Sequence, residues 1–303
     1  MLIFFDLIHR NITINIKFEV MKTENLIKET VRQKYSDVAL SDTETGDASC
    51  CGGTNCCGDV HNIMADDYRQ LEGYNPDADL GLGCGLPTQF AKIKRGDTVI
   101  DLGSGAGNDA FIARHEVGET GKVIGIDFTP AMINRARRNA EVRGVNNVEF
   151  RQGDIEDMPV TSNKADVIVS NCVLNLVPNK HKVFSEIFRV LKPGGHFSIS
   201  DIVLEGNLPE KWKQVAELYA GCVSGAIQKS EYLDIIQEAG FANITLQKEK
   251  NIVLPDDVLN NYLNEDEIKQ FKDSNINIQS ITVYAEKAAK DERKCCDPGS
   301  SCC

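Results

Sequence analysis

The feature that most constrains the fold is a glycine-rich turn between an apolar run and an amphipathic segment. Residues 98–108 read Thr-Val-Ile-Asp-Leu-Gly-Ser-Gly-Ala-Gly-Asn, and an amphipathic pattern begins near Asp109. This succession of strand, tight loop and helix is typical of the first βαβ unit of a nucleotide-binding fold. Glycine allows the backbone to approach a ligand closely, and the first turn of a helix presents N–H groups that have no partner within the helix.

The spacing of the glycines and of the nearby acids narrows the class of ligand. Gly103, Gly105 and Gly107 follow the spacing G-x-G-x-G, whereas a dinucleotide fingerprint follows G-x-G-x-x-G. A carboxylate at Asp101, two residues before the first glycine, would repel a pyrophosphate and suits a cationic or amino-bearing ligand. Asp127 ends the next apolar strand, at the position where an acid accepts hydrogen bonds from ribose hydroxyls.

Together with the segment Gly153-Asp154-Ile155, these residues resemble those of the class I S-adenosylmethionine (SAM) methyltransferases. The resemblance implies that SAM is the methyl donor. It implies that Asp127 binds the ribose hydroxyls, and that Asp154 and Ile155 meet the adenine, with the carboxylate accepting from the adenine amino group. The donor-binding residues implied by the resemblance are Asp101, Gly103, Gly105, Gly107, Asp127, Asp154 and Ile155.

Beyond the glycine-rich turn, strands and helices alternate along the chain. Strands are predicted over residues 98–102, 122–127, 147–151, 165–170 and 196–203, with helices over residues 107–117, 129–144 and 179–190. This alternation predicts an α/β protein with a mostly parallel, doubly wound sheet. A final antiparallel pair over residues 243–248 and 279–286 completes a seven-stranded sheet of the Rossmann-like class I methyltransferase type. Further helices are predicted over residues 23–35, 209–219, 230–240 and 255–274, with Thr23, Thr129 and Ser230 as N-caps.

The chain divides into five predicted regions. The apolar start is short and is followed by no small-residue cleavage site, so residues 1–20 are interpreted as a non-native or disordered extension before a natural start at Met21. The other regions are an N-terminal helix and cysteine loop (21–80), a SAM-binding core (81–205), a part with a small helical insertion that completes the sheet and the acceptor site (206–288), and a disordered cysteine-rich tail (289–303).

Charge and hydropathy exclude two classes of partner. The formal net charge of −12 argues against a nucleic-acid substrate, because binding phosphates requires a basic face. The sequence contains no apolar run near the roughly 20 residues that span a bilayer. We therefore expect no association with nucleic acid or with a membrane. We also expect a cytoplasmic monomer.

Eleven cysteines are the most unusual feature of the composition. Four lie near the start and four at the end, whereas Cys84, Cys172 and Cys222 stand singly between the clusters. An odd number without a secretion signal favours reduced thiols that bind or react over a disulfide framework. For any single cysteine, the alternative is a buried and inert side chain.

Three segments around the single cysteines resemble the thiol-bearing segments of the arsenite methyltransferases. They are residues 81–87, 170–178 and 220–226, of which Ser-Asn-Cys-Val-Leu-Asn-Leu-Val-Pro is the most specific. The resemblance implies that Cys84, Cys172 and Cys222 bind one arsenic atom and carry the catalysis. It also implies a fourth thiol nearer the N-terminus. The residues 50–57 offer two pairs for that role, Cys50 with Cys51, slightly favoured, and Cys56 with Cys57.

This chemistry is consistent with the residue types present. Trivalent arsenic is soft and prefers thiolates, and three thiolates leave a lone pair that can attack the methyl group of a sulfonium in line. A lone-pair nucleophile needs no general base. The expected acceptor is arsenite or a thiol conjugate of it, and the expected product is a methylated arsenical formed for detoxification. Turnover would use a thiol reductant such as glutathione or thioredoxin.

Two other functions remain open on the sequence alone. The first is a SAM-dependent methyltransferase of a small organic molecule with incidental cysteines, and the second is a thiol-based metalloid-binding protein. A structural zinc site is a further alternative for the clustered cysteines, although adjacent cysteines seldom chelate one tetrahedral ion.

Overall fold

A computed structural model describes residues 24–40, 66–206, 223, 225–253, 259–260, 263–274 and 276–289. Several sequence predictions fall outside these residues: the extension over residues 1–20, the helix over residues 209–219, nearly all of the tail, and the cysteines Cys50, Cys51, Cys56, Cys57 and Cys222.

Seven strands form one sheet, as the alternating pattern predicted. They are β1 (Thr98–Leu102), β2 (Lys122–Asp127), β3 (Val148–Gln152), β4 (Ala165–Asn171), β5 (Leu191–Glu205), β6 (Ala242–Asn251) and β7 (Asn277–Glu286). Their order across the sheet is β3-β2-β1-β4-β5-β7-β6. Strands β1 to β5 pair in parallel, whereas β7 is antiparallel to both β5 and β6. The fold is that of a class I SAM methyltransferase.

Strand β5 is longer than the predicted residues 196–203. It starts at Leu191 and includes the Pro-Gly-Gly sequence that favours a turn. The register against β4 shifts at this place, and Gly194 has a φ of 83°. A Cβ atom on Gly195 would lie 2.9 Å from the carbonyl oxygen of Asp166. The glycines therefore form an irregularity within the strand and do not end it.

Helices cover both faces of the sheet. Those of eight residues or more span residues 24–40, Asn108–Val117, Pro130–Val142, Lys180–Val190, Lys229–Glu238 and Glu265–Lys272. Short helical segments lie at Tyr68–Gln70, Pro87–Phe90 and Leu174–Leu176. Within the described part of the chain, no helix is long and apolar enough to cross a bilayer.

The first helix extends beyond its predicted C-terminal end. It continues five residues past Tyr35 because Val38 and Ala39 are buried against the core. Near its start Leu26 is 67% exposed and Ile27 is 41% exposed, so these two apolar side chains are not part of the core. The sequence predicted too short a helix, because Val38 and Ala39 pack against residues that are distant in the chain.

Two predicted N-caps do not make the expected hydrogen bond. Thr129 occupies the cap position of Pro130–Val142 without a side-chain bond to the helix. The helix Lys229–Glu238 begins after Gln228, so Ser230 lies in its first turn and is not its cap. Both helices nevertheless start close to their predicted positions. For Pro130–Val142, the proline at the first helical position favours this start.

Candidate functional site

A cavity opens at the carboxyl ends of β1, β2, β3 and β4, where ligands bind in open α/β sheets. Its empty volume is about 1060 Å³, counting its mouth. Seven of the predicted site residues line it: Asp101, Gly103, Gly105, Asp127, Asp154, Ile155 and Cys172. Gly107 and Cys84 are not among the lining residues.

The glycine-rich turn is held against β2 by its own backbone. The N–H groups of Gly103 and Ser104 both donate to the carbonyl oxygen of Ile126, at 2.8 and 3.0 Å. Gly103 has a φ of 66°, and a Cβ atom there would overlap the side chain of Val173. The close approach of these two segments therefore requires glycine.

Gly107 supports the turn from outside the cavity. It has a φ of 100° and stands at the N-cap of Asn108–Val117. A Cβ atom on it would lie 2.8 Å from the ring of Phe150 and 2.9 Å from that of Phe111. Glycine at this position therefore allows the helix to pack closely on the sheet, and the role of Gly107 in donor binding stays a prediction.

Asp101 is a buried acid with an unsatisfied oxygen. It is 2% exposed, and its Oδ2 has no hydrogen-bond partner among the described residues. Burial raises its pKa well above the ordinary value, and the charges of Asp109 and Asp127 raise it further, against a backbone hydrogen bond from Ala110. A cationic ligand with N–H donors would satisfy this oxygen and favour the ionised form.

Asp127 is tied into the wall of the cavity at both oxygens. Its Oδ2 accepts from the N–H of Gly105 at 3.0 Å, and its Oδ1 accepts from the N–H of Thr129 at 2.8 Å. Burial raises the pKa of Asp127, while these hydrogen bonds lower it. Each oxygen has a second lone pair, so the carboxylate can still accept from a pair of hydroxyl groups.

The cavity is strongly acidic. Five carboxyl groups and, among the described lining residues, a single lysine face it: Asp79, Asp101, Asp109, Asp127, Asp154 and Lys28. Ser104 Oγ and Asn108 Oδ1 are buried there and lack hydrogen-bond partners within the described part of the chain. The residues present thus fit SAM, which carries a sulfonium, an ammonium group and several hydrogen-bonding groups.

Lys28 is a lining residue that the sequence did not reveal. It projects from the helix over residues 24–40 and donates to Asp154 Oδ2 at 2.7 Å and to Glu156. Burial lowers the pKa of Lys28, but the hydrogen bonds to both acids outweigh burial and raise it overall. Because 126 residues separate Lys28 from Asp154, no local pattern could have predicted the pair.

Cys84 and Cys172 belong to one buried apolar cluster. Cys84 is 0% exposed and Cys172 is 2% exposed, and the same cluster contains Ile202, Leu204 and Val223. Cys172 has a φ of 62°, a left-handed backbone conformation that residues other than glycine seldom adopt. Its N–H donates to the carbonyl oxygen of Ser200 at 2.8 Å.

Hydrogen bonds hold the backbone at Cys84 against β4 and β7. The N–H of Cys84 donates to Asn171 Oδ1 at 3.0 Å, and Ser280 Oγ donates to the carbonyl oxygen of Cys84 at 2.6 Å. A Cβ atom on Gly85 would lie 2.5 Å from Ser200 Oγ. The glycines here permit close packing against polar side chains.

A polar network connects this segment to the cavity. Tyr68 Oη donates to Asp109 Oδ2 at 3.0 Å, and Asn171 Nδ2 lies 3.2 Å from the same oxygen and also contacts Tyr68. Burial raises the pKa of Asp109 to about 6, against the hydrogen bonds from Asn171 and Tyr68. Sequence reasoning missed all three as site residues. The only available signal was the position of Asn171 beside Cys172.

The chain that follows residue 222 packs on the segment of Cys172. A Cβ atom on Gly225 would overlap the carbonyl group of Asn175. Lys180 Nζ donates to the carbonyl oxygen of Gly225 at 2.8 Å, and Asn175 Nδ2 donates to that of Ile202 at 2.7 Å. The described residues nearest to position 222 thus lie against the segment that bears Cys172.

The zinc alternative concerned the clustered cysteines, which lie outside the described residues. Within the part of the chain that the structure describes, no group of three His, Cys, Asp or Glu side chains could hold a metal ion.

Comparisons with known proteins agree with this geometry. A methyltransferase domain family matches residues 93–240. Arsenite methyltransferases of Halobacterium salinarum and Aquipseudomonas alcaligenes are 37% and 31% identical to the chain, covering 88% and 76% of it. A crystal structure of an arsenic(III) S-adenosylmethionine methyltransferase from Chlamydomonas reinhardtii superposes with a TM-score of 0.58 at 30% identity, over 76% of this chain and 73% of that one.

The chain spans about two thirds of the length of these two curated relatives, namely 68% and 66%. The shared part includes the glycine-rich turn and the carboxyl ends of the parallel strands, since the family match alone contains β1 to β5.

Proposed function

The chain belongs to the arsenite methyltransferase family, and from that premise we propose that it transfers a methyl group from SAM to trivalent arsenic bound by Cys84, Cys172 and Cys222. The single observation that supports this most is the position of Cys172. It lines the acidic cavity and also belongs to the buried cluster of Cys84. A thiol at this boundary can present a bound arsenic to a methyl group in the cavity.

The acidic wall of the cavity is the proposed donor site. Asp101 faces the amino-acid end of the donor with its unpaired oxygen, and Asp127 accepts from the ribose hydroxyls. Asp154 and Ile155 lie at the adenine end, where the carboxylate now bonded to Lys28 can accept from the amino group. When bound, SAM supplies a methyl group activated by a sulfonium.

The buried cluster is the proposed acceptor site. Cys84 and Cys172 are almost inaccessible to water, and Val223, one peptide bond from Cys222, packs in the same cluster. Consecutive Cα atoms are about 3.8 Å apart, which is why we include Cys222 as the third thiol. Exclusion of water protects the arsenic–sulfur bonds and the reacting methyl group.

The reaction balances without a general base. The arsenic lone pair forms the As–C bond as the C–S bond of the donor breaks, and the electrons of that bond remain on sulfur as a neutral thioether. Arsenic is formally oxidised by two electrons in this step. Two thiols, supplied by glutathione or thioredoxin, return the electrons as they form a disulfide and release two protons. The proposed role in the cell is detoxification of arsenic.

One assay tests the proposal against its alternatives. The full chain is incubated with arsenite, SAM and glutathione, and the arsenic species are separated and quantified by mass spectrometry. We expect methylated arsenic species whose formation depends on SAM, with one S-adenosylhomocysteine formed for each methyl group transferred. A chain that binds SAM and leaves arsenite unmethylated would support a small-molecule methyltransferase. A chain that binds arsenite but not SAM would support a metalloid-binding protein.

A further inference from the structure

We propose that Asn171 is a positioning residue that fixes Cys84 relative to Cys172 and so sets the geometry of these two thiols in the acceptor site. The inference rests on the proposed function, because it concerns how the same thiols are arranged. Asn171 is the last residue of β4 and directly precedes Cys172. A strand end is a rigid place from which to hold a neighbouring loop.

The carboxamide of Asn171 holds the Cys84 segment at two points. Its Oδ1 accepts from the N–H of Cys84 at 3.0 Å, and its Nδ2 donates to the carbonyl oxygen of Gly85 at 2.8 Å. These groups lie on opposite sides of the Cα atom of Cys84. Two bonds to one planar amide restrict both the position and the rotation of the backbone that bears the thiol.

The glycines of this segment allow the loop to wrap around the carboxamide. A Cβ atom on Gly83 would lie 2.7 Å from Asn171 Nδ2, and one on Gly85 would meet Ser200 Oγ at 2.5 Å. A side chain at position 83 would displace the carboxamide from the loop. The Gly-x-Gly spacing around Cys84 thus follows from the requirement to accommodate Asn171 and Ser200.

Asn171 also connects the acceptor thiols with the donor cavity. It lines that cavity, and its Nδ2 lies 3.2 Å from Asp109 Oδ2, which accepts from Tyr68 as well. The next residue, Cys172, is fixed by its left-handed backbone and by its bond to Ser200. A shift of the end of β4 would therefore move both thiols together relative to the donor site.

The test compares two asparagines that hold loops at opposite ends of the sheet. Asn147 is the matched control: its Nδ2 donates to the carbonyl oxygens of Gly118 and Gly121 at 2.9 and 3.1 Å, and its Oδ1 accepts from Arg114. Asn171→Ala and Asn147→Ala remove similar numbers of hydrogen bonds. Each variant is titrated with arsenite and with SAM, and the arsenic–sulfur coordination number is measured by X-ray absorption spectroscopy.

We expect three sulfur ligands in the wild type and in Asn147→Ala, but two in Asn171→Ala. Arsenite affinity and kcat should each fall by roughly tenfold or more in Asn171→Ala, because a small misplacement of a reacting group has a large kinetic effect. SAM affinity should stay within about threefold. Both variants should lose similar stability, since the side chain of Asn171 makes four hydrogen bonds and that of Asn147 makes three.

If the alanine variant does not fold, Asn171→Asp is used to test the inference. A carboxylate of the same shape can still accept from Cys84, but it cannot donate to Gly85 and it repels Asp109, so arsenite affinity should fall at pH 8. Three sulfur ligands and wild-type arsenite affinity in the soluble Asn171 variants would overturn the inference while leaving the proposed function intact. A wild-type chain that neither binds nor methylates arsenite would overturn both.

Discussion

The donor cavity and the acceptor cluster meet at Cys172 but are built from opposite kinds of side chain. The cavity has buried carboxyl groups and backbone N–H donors, whereas the cluster has two thiols among aliphatic side chains. A cationic donor needs compensating charge, because burying an unpaired charge is costly. A neutral arsenic atom needs soft ligands and the absence of water. Under the proposed function, the donor and the acceptor are thus bound by different physical means.

This contrast predicts that a substitution in the cavity weakens SAM binding but not arsenite binding. A substitution in the cluster should have the opposite effect. The two sides share Asn171 and Cys172, which line the cavity and contact the thiol segments. Four experiments, from the largest expected effect to the smallest, test whether the separation holds.

The largest effect is expected for Cys172→Ser. A hydroxyl is a poor ligand for a soft metalloid, so methyl transfer to arsenite should fall by about 100-fold or more, as expected when a reactant is no longer held in place. SAM affinity, measured by calorimetry, should be unchanged because no carboxylate of the cavity is altered. Cys84→Ser should behave in the same way.

Deletion of residues 290–303 is the control for the cysteine variants, because it removes the four cysteines at the end of the sequence. Turnover by the deleted chain should stay within a few-fold of the wild type. A deleted chain without activity beside an active Cys172→Ser would place the arsenic site in the tail.

Asp127→Ala should weaken SAM binding by about 1–3 kcal/mol, because buried hydrogen-bonding groups are left unsatisfied. Gly105 and Thr129 would each lose an acceptor, as would the ribose hydroxyls. Calorimetric titration with SAM measures the loss, and arsenite binding should persist. Glu119→Ala, at the end of the sheet away from the cavity, is the control. Unchanged SAM affinity would remove Asp127 from the site.

The buried acids should make donor binding depend on pH. Asp109 has a pKa of about 6 and the pKa of Asp101 is higher than ordinary, in both cases chiefly through burial. The folded protein without donor therefore keeps protons that the unfolded chain releases, so the free energy of unfolding should fall as pH rises from about 4 to about 6.

A cationic donor favours the ionised acids, so SAM affinity should rise by roughly tenfold between pH 5.5 and pH 7.5. Calorimetry in two buffers of different ionisation enthalpy should show that protons are released on binding at the lower pH. Affinity that declines with rising pH would contradict an anionic donor cavity.

The smallest effect is expected for Lys28→Ala. The helix over residues 24–40 is joined to Asp154 and Glu156 by this lysine, and partly exposed ion pairs contribute little. SAM should dissociate about threefold faster in a stopped-flow displacement measurement, because the helix closes less firmly over the adenine end. Lys34→Ala, on the same helix but outside the cavity wall, should dissociate like the wild type. If SAM dissociates from Lys28→Ala at the wild-type rate, this helix does not cover bound SAM.

Much of the fold was predictable because its signals are local. The apolar runs that became β1, β2 and β4 have the composition of strands covered on both faces, and Gly144 and Gly240, with φ of 63° and 94°, follow helix ends as expected. The longer extent of β5 and of the first helix was not predictable. Pairing with β4 and burial of Val38 depend on neighbours far away in the sequence.

For the candidate site too, some features are visible in the sequence and others arise only from the fold. The sequence by itself determined the residue types of both halves: the acids after β1 and β2, the glycines of the turn, and the thiols beside asparagine and glycine. Chemistry and short spacing limit these choices, and both are visible in the chain. The sequence did not show that Gly107 packs closely against Phe150, because that contact joins residues that are distant in the chain.

Only the tertiary structure decided which groups act on one another. Cys84 and Asn171 are 87 residues apart, and Lys28 and Asp154 are 126 apart, so their contacts exist only after the sheet has formed. The raised pKa values of Asp101 and Asp109 likewise arise from burial, which no sequence position has by itself. Hydrogen bonding and desolvation act over a few ångströms of space, and the fold alone determines which side chains share that space.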